Sequence, residues 1–370
     1  MSFNQKKRPN ILFSTTRQWN PGDEFILHGI QNILRELLEG YNAIIFNRSP
    51  EMKHKEEPTI SFQLKLRSLS CKRLQLTRYD NSFKEAVLYE NFIDIVILAG
   101  TPEWASHRMN VLYEYILTHS IPALYIGIGA GSSDIDFDSL RGGCKKVISN
   151  APLITVRDRI LEKALKRFNA HYLPCPALLS APSTMEKHVH TVKKIGLIYM
   201  ANTGVRSNTL LNSDYQFLKK YYQTLLERYG ERYEFHFICH YIDELPYFQK
   251  DFSGGTCTYS YDSKDYPDIY QKFDMVVGPR VHGIAMAASL GIPGISIQHD
   301  VRAHTCEGFL AEKINIADGV ESAVQKFVDR AAHSDPATMS TELLNRKDEV
   351  YRKYLKLLWP FFKSKISRCS

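Results

Sequence analysis

Two ionisable side chains stand at a turn otherwise built from small and apolar residues. In GPRVHGIAMAASLGIPGISI, residues 278–297, an apolar run ends at Gly278-Pro279, and Arg280 and His282 follow before a run of small residues. A helix starting there points the positive end of its dipole at the same spot. A guanidinium added to that end costs stability unless an anion binds, so the pair reads as a receptor for a phosphate or carboxylate. Three other stretches place functional residues just after apolar runs. TTRQWNPGDEFILHG offers Asn20, Gly22, Asp23 and Glu24 at a helix start, with Asp23 as the expected N-cap. IGIGAGSS carries Gly127, Gly129 and Gly131, whose backbone N–H groups are suited to an anion nest. Its G-x-G-x-G spacing, with no ribose-binding acid after it, is not a dinucleotide fingerprint. LITVRDRI puts Arg157 at a strand end and Asp158 at the start of the next helix.

The elements that must position these residues alternate along the chain. NILFST, NAIIF, IDIVILAG, PALYIGIG and LITVRD read as early strands, with DEFILHGIQNILRELLEG and HRMNVLYEYILTHS as helices. Gly40 is expected to cap the first of these. After a Pro-, Ser- and Lys-rich stretch the alternation restarts with KIGLIYM, YEFHFIC, MVVG and GISI, and with the helix DYQFLKKYYQTLLERYG. Two such blocks predict an α/β chain of two Rossmann-like domains facing across a cleft. The expected boundaries are 1–185 and 190–335, with a C-terminal helix and basic tail over 336–370. Ligands of open α/β sheets bind at the carboxyl ends of the strands, where the polar residues above fall. The small residues of GIAMAASLG should let that helix pack close to its sheet.

Composition is that of a globular protein: 44% hydrophobic and 24% charged over 370 residues. The basic start has too short an apolar run for a signal peptide, and no apolar stretch approaches the ~20 residues that span a bilayer, so a cytoplasmic protein is expected. Seven scattered cysteines without C-x-x-C fit a reducing compartment. His236, Cys239 and His240 form the densest metal-like group, but strand alternation puts His236 and Cys239 on opposite faces, and no metal is expected. The net charge of +7 comes mostly from residues 346–370, which hold eight Lys or Arg against two acids. That end reads as a packing helix with a solvated basic tail, or as a contact with an anionic membrane face. Residues 47–79, also basic, read as a surface loop. Neither stretch carries a nucleic-acid motif.

Taken in order, these stretches resemble the polysaccharide pyruvyl transferase family over roughly residues 10–315. NPGDE resembles the family's Asn-x-Gly-Asp signature, GIGAGSS its Gly-rich segment, ITVRDRILEKAL its Arg-Asp segment, and GPRVHGIAMAASLGIPGISI its Arg-x-His segment followed by Gly-x-Pro. The resemblance implies a glycosyltransferase-B-like fold and transfer of the enolpyruvyl carbons of phosphoenolpyruvate to a sugar or glycan, forming a pyruvate ketal. No cofactor is implied beyond the donor substrate. On the matching positions, Arg280 and His282 would hold the donor with Arg157 assisting, and Asn20–Glu24 would line the opposite wall. His282 is then the expected proton donor, with a pKa near neutrality, and Asp23 or Glu24 the expected base, with Glu103 in reserve. Trp104 is placed to stack on a sugar. Arg206 in ANTGVRSN is a further cation after a strand. The chain departs from the family pattern at Thr101–Trp104, where glycines are common, at Cys175, where an Asp often precedes the Pro, and at Arg302 in HDVRAHT, where a Lys is common. Two other readings share these residues. A nucleotide-sugar glycosyltransferase would hold its donor with a carboxylate in the helix GIAMAASLG, which has none. A non-catalytic relative would bind a phosphorylated metabolite without turnover.

Overall fold

A computed structural model describes residues 8–16, 20–48, 93–100, 107–131, 137, 140, 142–202 and 210–366. The first of its two sheets holds β1 (Asn10–Thr15), β2 (Asn42–Asn47), β3 (Ile95–Ala99), β4 (Ala123–Ile128), β5 (Leu153–Val156) and β6 (His171–Tyr172), in the order β2-β1-β3-β4-β5-β6. The second holds β7 (Lys194–Ile198), β8 (Glu234–Ile238), β9 (Cys257–Thr258), β10 (Met275–Gly278), β11 (Gly294–Gln298) and β12 (Glu312–Asn315), in the order β12-β11-β10-β7-β8-β9. Every pairing between them is parallel. Parallel neighbours need crossovers, and helices supply most of them. These are α1 (Pro21–Leu37), α2 (His107–Thr118), α3 (Gly142–Ser149), α4 (Arg159–Ala164), α5 (Asn212–Tyr229), α6 (Leu245–Asp251), α7 (Tyr266–Tyr270), α8 (Val281–Ser289), α9 (Gly319–Val328) and α10 (Pro336–Ile366). Strand order reverses between β1 and β3 and again between β7 and β10, which creates a crevice at the carboxyl end of each sheet.

The α/β alternation expected from the sequence is thus present, and each strand read there forms. The short strands β6, β9 and β12 were not anticipated; β6 and β9 have only two residues each, and all three lie at sheet edges. Two end signals differ. Asn20, not Asp23, is the N-cap of α1, and Asp23 lies in its first turn. At the other end Leu38, in an extended conformation, takes the cap position and bonds back to Leu34 O, so Gly40 is not needed there. Pro21 at the first helical position sets this entry, because its missing N–H costs nothing there.

The sheets share one apolar core. Ile11, Phe13, Ile95 and Ile97 point from the first sheet into the same cluster that Ile198 and Val276 enter from the second. Leu12, Val96 and Leu98, the alternating positions, enter a separate cluster under α2 and α3. On the second sheet Ile195, Leu197, Met275 and Val277 likewise turn outward beneath α5 and α9. The shared cluster is filled by α1, α8 and the turn Pro176–Leu179. Every residue of α8 from Gly283 to Ser289 is buried, as its small side chains predicted. The long α10 seals this cluster with Val350, Tyr354, Leu358 and Phe362, spaced one helical turn apart. Tyr354 Oη donates to Pro174 O at 2.9 Å, and buried Lys347 donates to Ala181 O and Ser289 O and pairs with Glu186.

Gly29 shows how tight the seam is. A Cβ placed there would lie 1.8 Å from the carbonyl oxygen of Pro176, which is backbone and has little room to move. Helix propensity alone makes Gly-to-Ala favourable by about 1 kcal/mol. Here Gly29→Ala should instead destabilise the chain by about 1–3 kcal/mol, read as a lower urea midpoint. A midpoint that stays level or rises would mean that α1 and the 176–179 turn are not in this contact.

Candidate functional site

A cavity of about 410 Å³ opens where the carboxyl ends of the two sheets face each other. The first sheet contributes Thr16 after β1, Asn20, Gly22 and Asp23 from the start of α1, Arg48 after β2, Gly131 after β4 and Arg157 after β5. From the second come Met200, His240, Tyr241, Arg280, His282, His299, Asp300 and Arg302, which likewise follow strand ends. The N-termini of α1 and α8 both reach this cavity, so two helix dipoles add positive potential to four arginines.

Folding has to neutralise much of that charge. Arg280, the N-cap of α8, is 9% exposed in its side chain and paired with the carboxylate of Glu244, which is 2% exposed. The guanidinium carbon lies 4.0 Å above the ring of Tyr241. Glu244 also accepts from the backbone N–H groups of His240 and Tyr241, both at 3.1 Å. Burial pushes the Glu244 carboxyl up, and Arg280 pulls it back. The anion expected beside Arg280 is therefore in part a carboxylate of the chain itself. One group stays open: Arg280 Nε is buried with no partner among the described residues. Arg302 grips Asp300, with Nε to Oδ2 at 2.7 Å, and Asp300 also caps the following 3-10 turn through Arg302 N. Burial would raise the Asp300 carboxyl, but His299 and Arg302 hold it well below the usual range. Arg48, 2% exposed, reaches Asp23 Oδ2 and Ala99 O, each at 3.4 Å.

The two lobes meet at His282. Arg157 Nη1 stands 3.0 Å from His282 Nε2. A guanidinium can only donate, so Nε2 must be the unprotonated nitrogen of a neutral ring. Electrostatics agree: burial first, then Arg157, Arg302 and His240, hold the His282 pKa well below 6.5. This corrects the expectation of a histidine titrating near neutrality. Held this way, His282 carries no extra proton to give. On its other side, a Cβ on Gly22 would come within 2.6 Å of His282 Nδ1, so the Gly of the Asn-x-Gly-Asp stretch is what lets α1 approach α8. His240 is also held neutral, by burial and then Arg280, and its Nε2 bonds Tyr270 Oη at 2.8 Å.

Of the residues singled out from the sequence, Asn20, Gly22, Asp23, Arg157, Arg280, His282 and Arg302 line the cavity. Glu24 is 2% exposed and outside the lining. Gly129 also lies outside it, against Arg157, where a Cβ would fall 2.2 Å from Nε. In the glycine segment, Gly127 N donates to Thr155 Oγ1 and Ala130 N to Asp158 Oδ2, so these two N–H groups are already used, while Gly131 lines the cavity. Asp158 caps α4 through Leu161 N, as its position predicted. Glu103, Trp104 and Arg206 lie outside the described residues. His236, Cys239 and His240 diverge: His236 bonds Thr258, Cys239 lies 3.3 Å from the sulfur of Cys257, and only His240 lines the cavity. No group of three or more metal-type ligands occurs among the described residues. Sequence reasoning passed over Arg48, Glu244, His299 and Asp300. Arg48 and His299 directly follow strands, the position that singled out Arg157. Glu244 had no such signal, because its partner is 36 residues away.

The sequence matches the family model described as polysaccharide pyruvyl transferase over residues 20–301. No protein of curated function matches it. Among solved structures, S. aureus MnaA, in a co-structure with UDP, superposes with a TM-score of 0.51 at 14% identity, covering 91% of this chain and 95% of that one. The UDP-GlcNAc 2-epimerase of Methanocaldococcus jannaschii gives 0.52 at 12% identity, covering 92% and 99%. At such identities the likeness shows the fold, two facing α/β domains of glycosyltransferase-B type.

Two histidines are neutral in the folded state, since His240 and His282 are held well below 6.5 with burial as the first cause. Their unfolded counterparts bind protons below about pH 6.5. Unfolding therefore takes up protons there, and stability falls as pH drops from about 6.5 toward 5, by up to about 1.4 kcal/mol per pH unit for each fully shifted ring. Chemical denaturation across that window should show the slope, and His282→Gln should make it shallower. An identical slope in the variant would contradict a neutral His282.

Proposed function

Since the chain belongs to the polysaccharide pyruvyl transferase family, we propose that it moves the three-carbon unit of phosphoenolpyruvate onto a sugar hydroxyl pair of a glycan or glycan precursor, forming a pyruvate ketal. The observation that carries this reading is the convergence of Arg157, Arg280 and Arg302 with two helix N-termini on one cavity. Phosphoenolpyruvate brings a carboxylate and a phosphate, about three negative charges together. Guanidinium forks match both groups. Arg280 offers its open Nε, and Arg302 lies partly exposed at the rim.

The chemistry needs a proton delivered to the methylene carbon, attack of one sugar hydroxyl on the central carbon, and displacement of phosphate by a second hydroxyl. One hydroxyl proton balances the new methyl group and the other leaves with phosphate. His282 is neutral because of burial and surrounding cations. A bound trianion offsets those cations, so the ring gains a proton only once the donor is in place. That makes His282 the acid of the loaded site. Asp23, held 3.4 Å from Arg48 on the opposite wall, is placed to take the hydroxyl proton. His299 lines the same cavity with no partner for Nδ1 among the described residues and offers a hydrogen bond to the phosphate.

Calorimetry with phosphoenolpyruvate tests this. The wild-type chain should bind it, with proton uptake shown by heats that vary with buffer ionisation enthalpy and that shrink in His282→Gln. Arg302→Ala, at a partly exposed position, should weaken binding by roughly 30-fold or more while leaving the fold intact. A chain that ignores phosphoenolpyruvate and binds a uridine diphosphate sugar would be a glycosyltransferase instead. Binding of phosphoenolpyruvate without ketal formation on any glycan would favour a metabolite-binding relative.

A further inference from the structure

We propose that the exposed face at the end of α10 docks onto an anionic lipid surface. The helix has two unlike sides. Val350, Tyr354, Leu358 and Phe362 are buried in the shared core. At 100° per residue, Arg352, Lys356, Trp359 and Lys363 fall within an arc of about 60° on the other side. All four are exposed, as are Lys353 and Pro360 beside them. Trp359 is 49% exposed, one of few large apolar side chains so open among the described residues. The last carboxylate on the helix is Glu349, which pairs with Arg346 and Lys353. From Val350 to Ser370 the sequence has six Lys or Arg and no acid.

An indole ringed by cations matches the boundary between headgroups and acyl chains, where the ring enters the apolar edge and the cations meet lipid phosphates. Cations alone would serve a nucleic-acid backbone; the exposed Trp359, with Lys356 and Lys363 about one turn to either side, favours lipid. The location is compatible with catalysis. Tyr351 feels the charge of Glu36, at the end of α1 remote from Asn20 and the cavity. Docking there leaves the cavity open to solution. This inference rests on α10 alone and stands whatever the reaction proves to be.

Co-sedimentation of the full chain with vesicles decides it. Binding is expected to phosphatidylcholine vesicles containing about 30% phosphatidylglycerol and not to pure phosphatidylcholine, and it should fade at about 0.5 M salt. Lys356→Ser with Lys363→Ser should lower the partition coefficient roughly 30-fold, about fivefold for each cation. Trp359→Ser should lower it at least roughly tenfold, and the thermal midpoint of each variant should match the wild type. Equal binding to neutral and anionic vesicles overturns the proposal. So does a folded wild-type chain that leaves anionic vesicles in solution, or one that binds a polynucleotide but no vesicle.

Discussion

Gathering four guanidinium groups in one cleft, with only Arg302 partly exposed, is the constraint on which most of this structure turns. A buried one would cost several kcal/mol if left without compensation. The chain answers locally for three of them. Glu244 sits beneath Arg280, Asp300 beside Arg302, and Asp23 opposite Arg48. For Arg157 the neighbour across the seam is a histidine that stays neutral. The result is a site with strong local fields but with its charges tied down. Such a site is preorganised: an incoming anion meets donors already fixed in place, and little has to reorganise when charge develops.

That arrangement depends on the apolar core shared by the sheets. In an open two-domain protein each sheet could carry its own core, and the two crevices could drift relative to one another. Here α1, α8, the 176–179 turn and α10 enter one cluster, so the strand ends of both sheets are held in register across the cavity. Gly29 against Pro176 and Gly22 against His282 mark where backbone must come close for this to work. Packing and chemistry are therefore coupled at these two glycines. Gly22 sets the distance between the lobes directly, and Gly29 seats α1 on the 176–179 turn that packs against α8.

The neutral histidines follow from the same logic. A ring surrounded by arginines in a buried setting loses its proton first, since that removes charge at no cost in packing. His282 and His240 are in this state, while the carboxylates beside them stay paired. A bound anion reverses the local balance, which links proton uptake to ligand binding without a moving part.

Periodicity alone disclosed the alternating strands and helices, because buried parallel strands must be continuous apolar runs and their crossovers must be amphipathic. It disclosed Asn20, Gly22, Asp23, Arg157, Arg280 and His282 as well, since each follows a strand or opens a helix and the carboxyl end of a parallel sheet is where polar residues are free to serve a ligand; Arg302 was marked only by the family resemblance. What the sequence could not show was how these side chains meet. Glu244 under Arg280, Asp23 facing Arg48 and His282 against Arg157 join residues from 25 to 125 positions apart, and no local spacing encodes such pairs. The protonation of His282 was likewise beyond it. A residue's type sets its reference pKa, but its charge state is settled by burial and by neighbours that only the folded chain assembles.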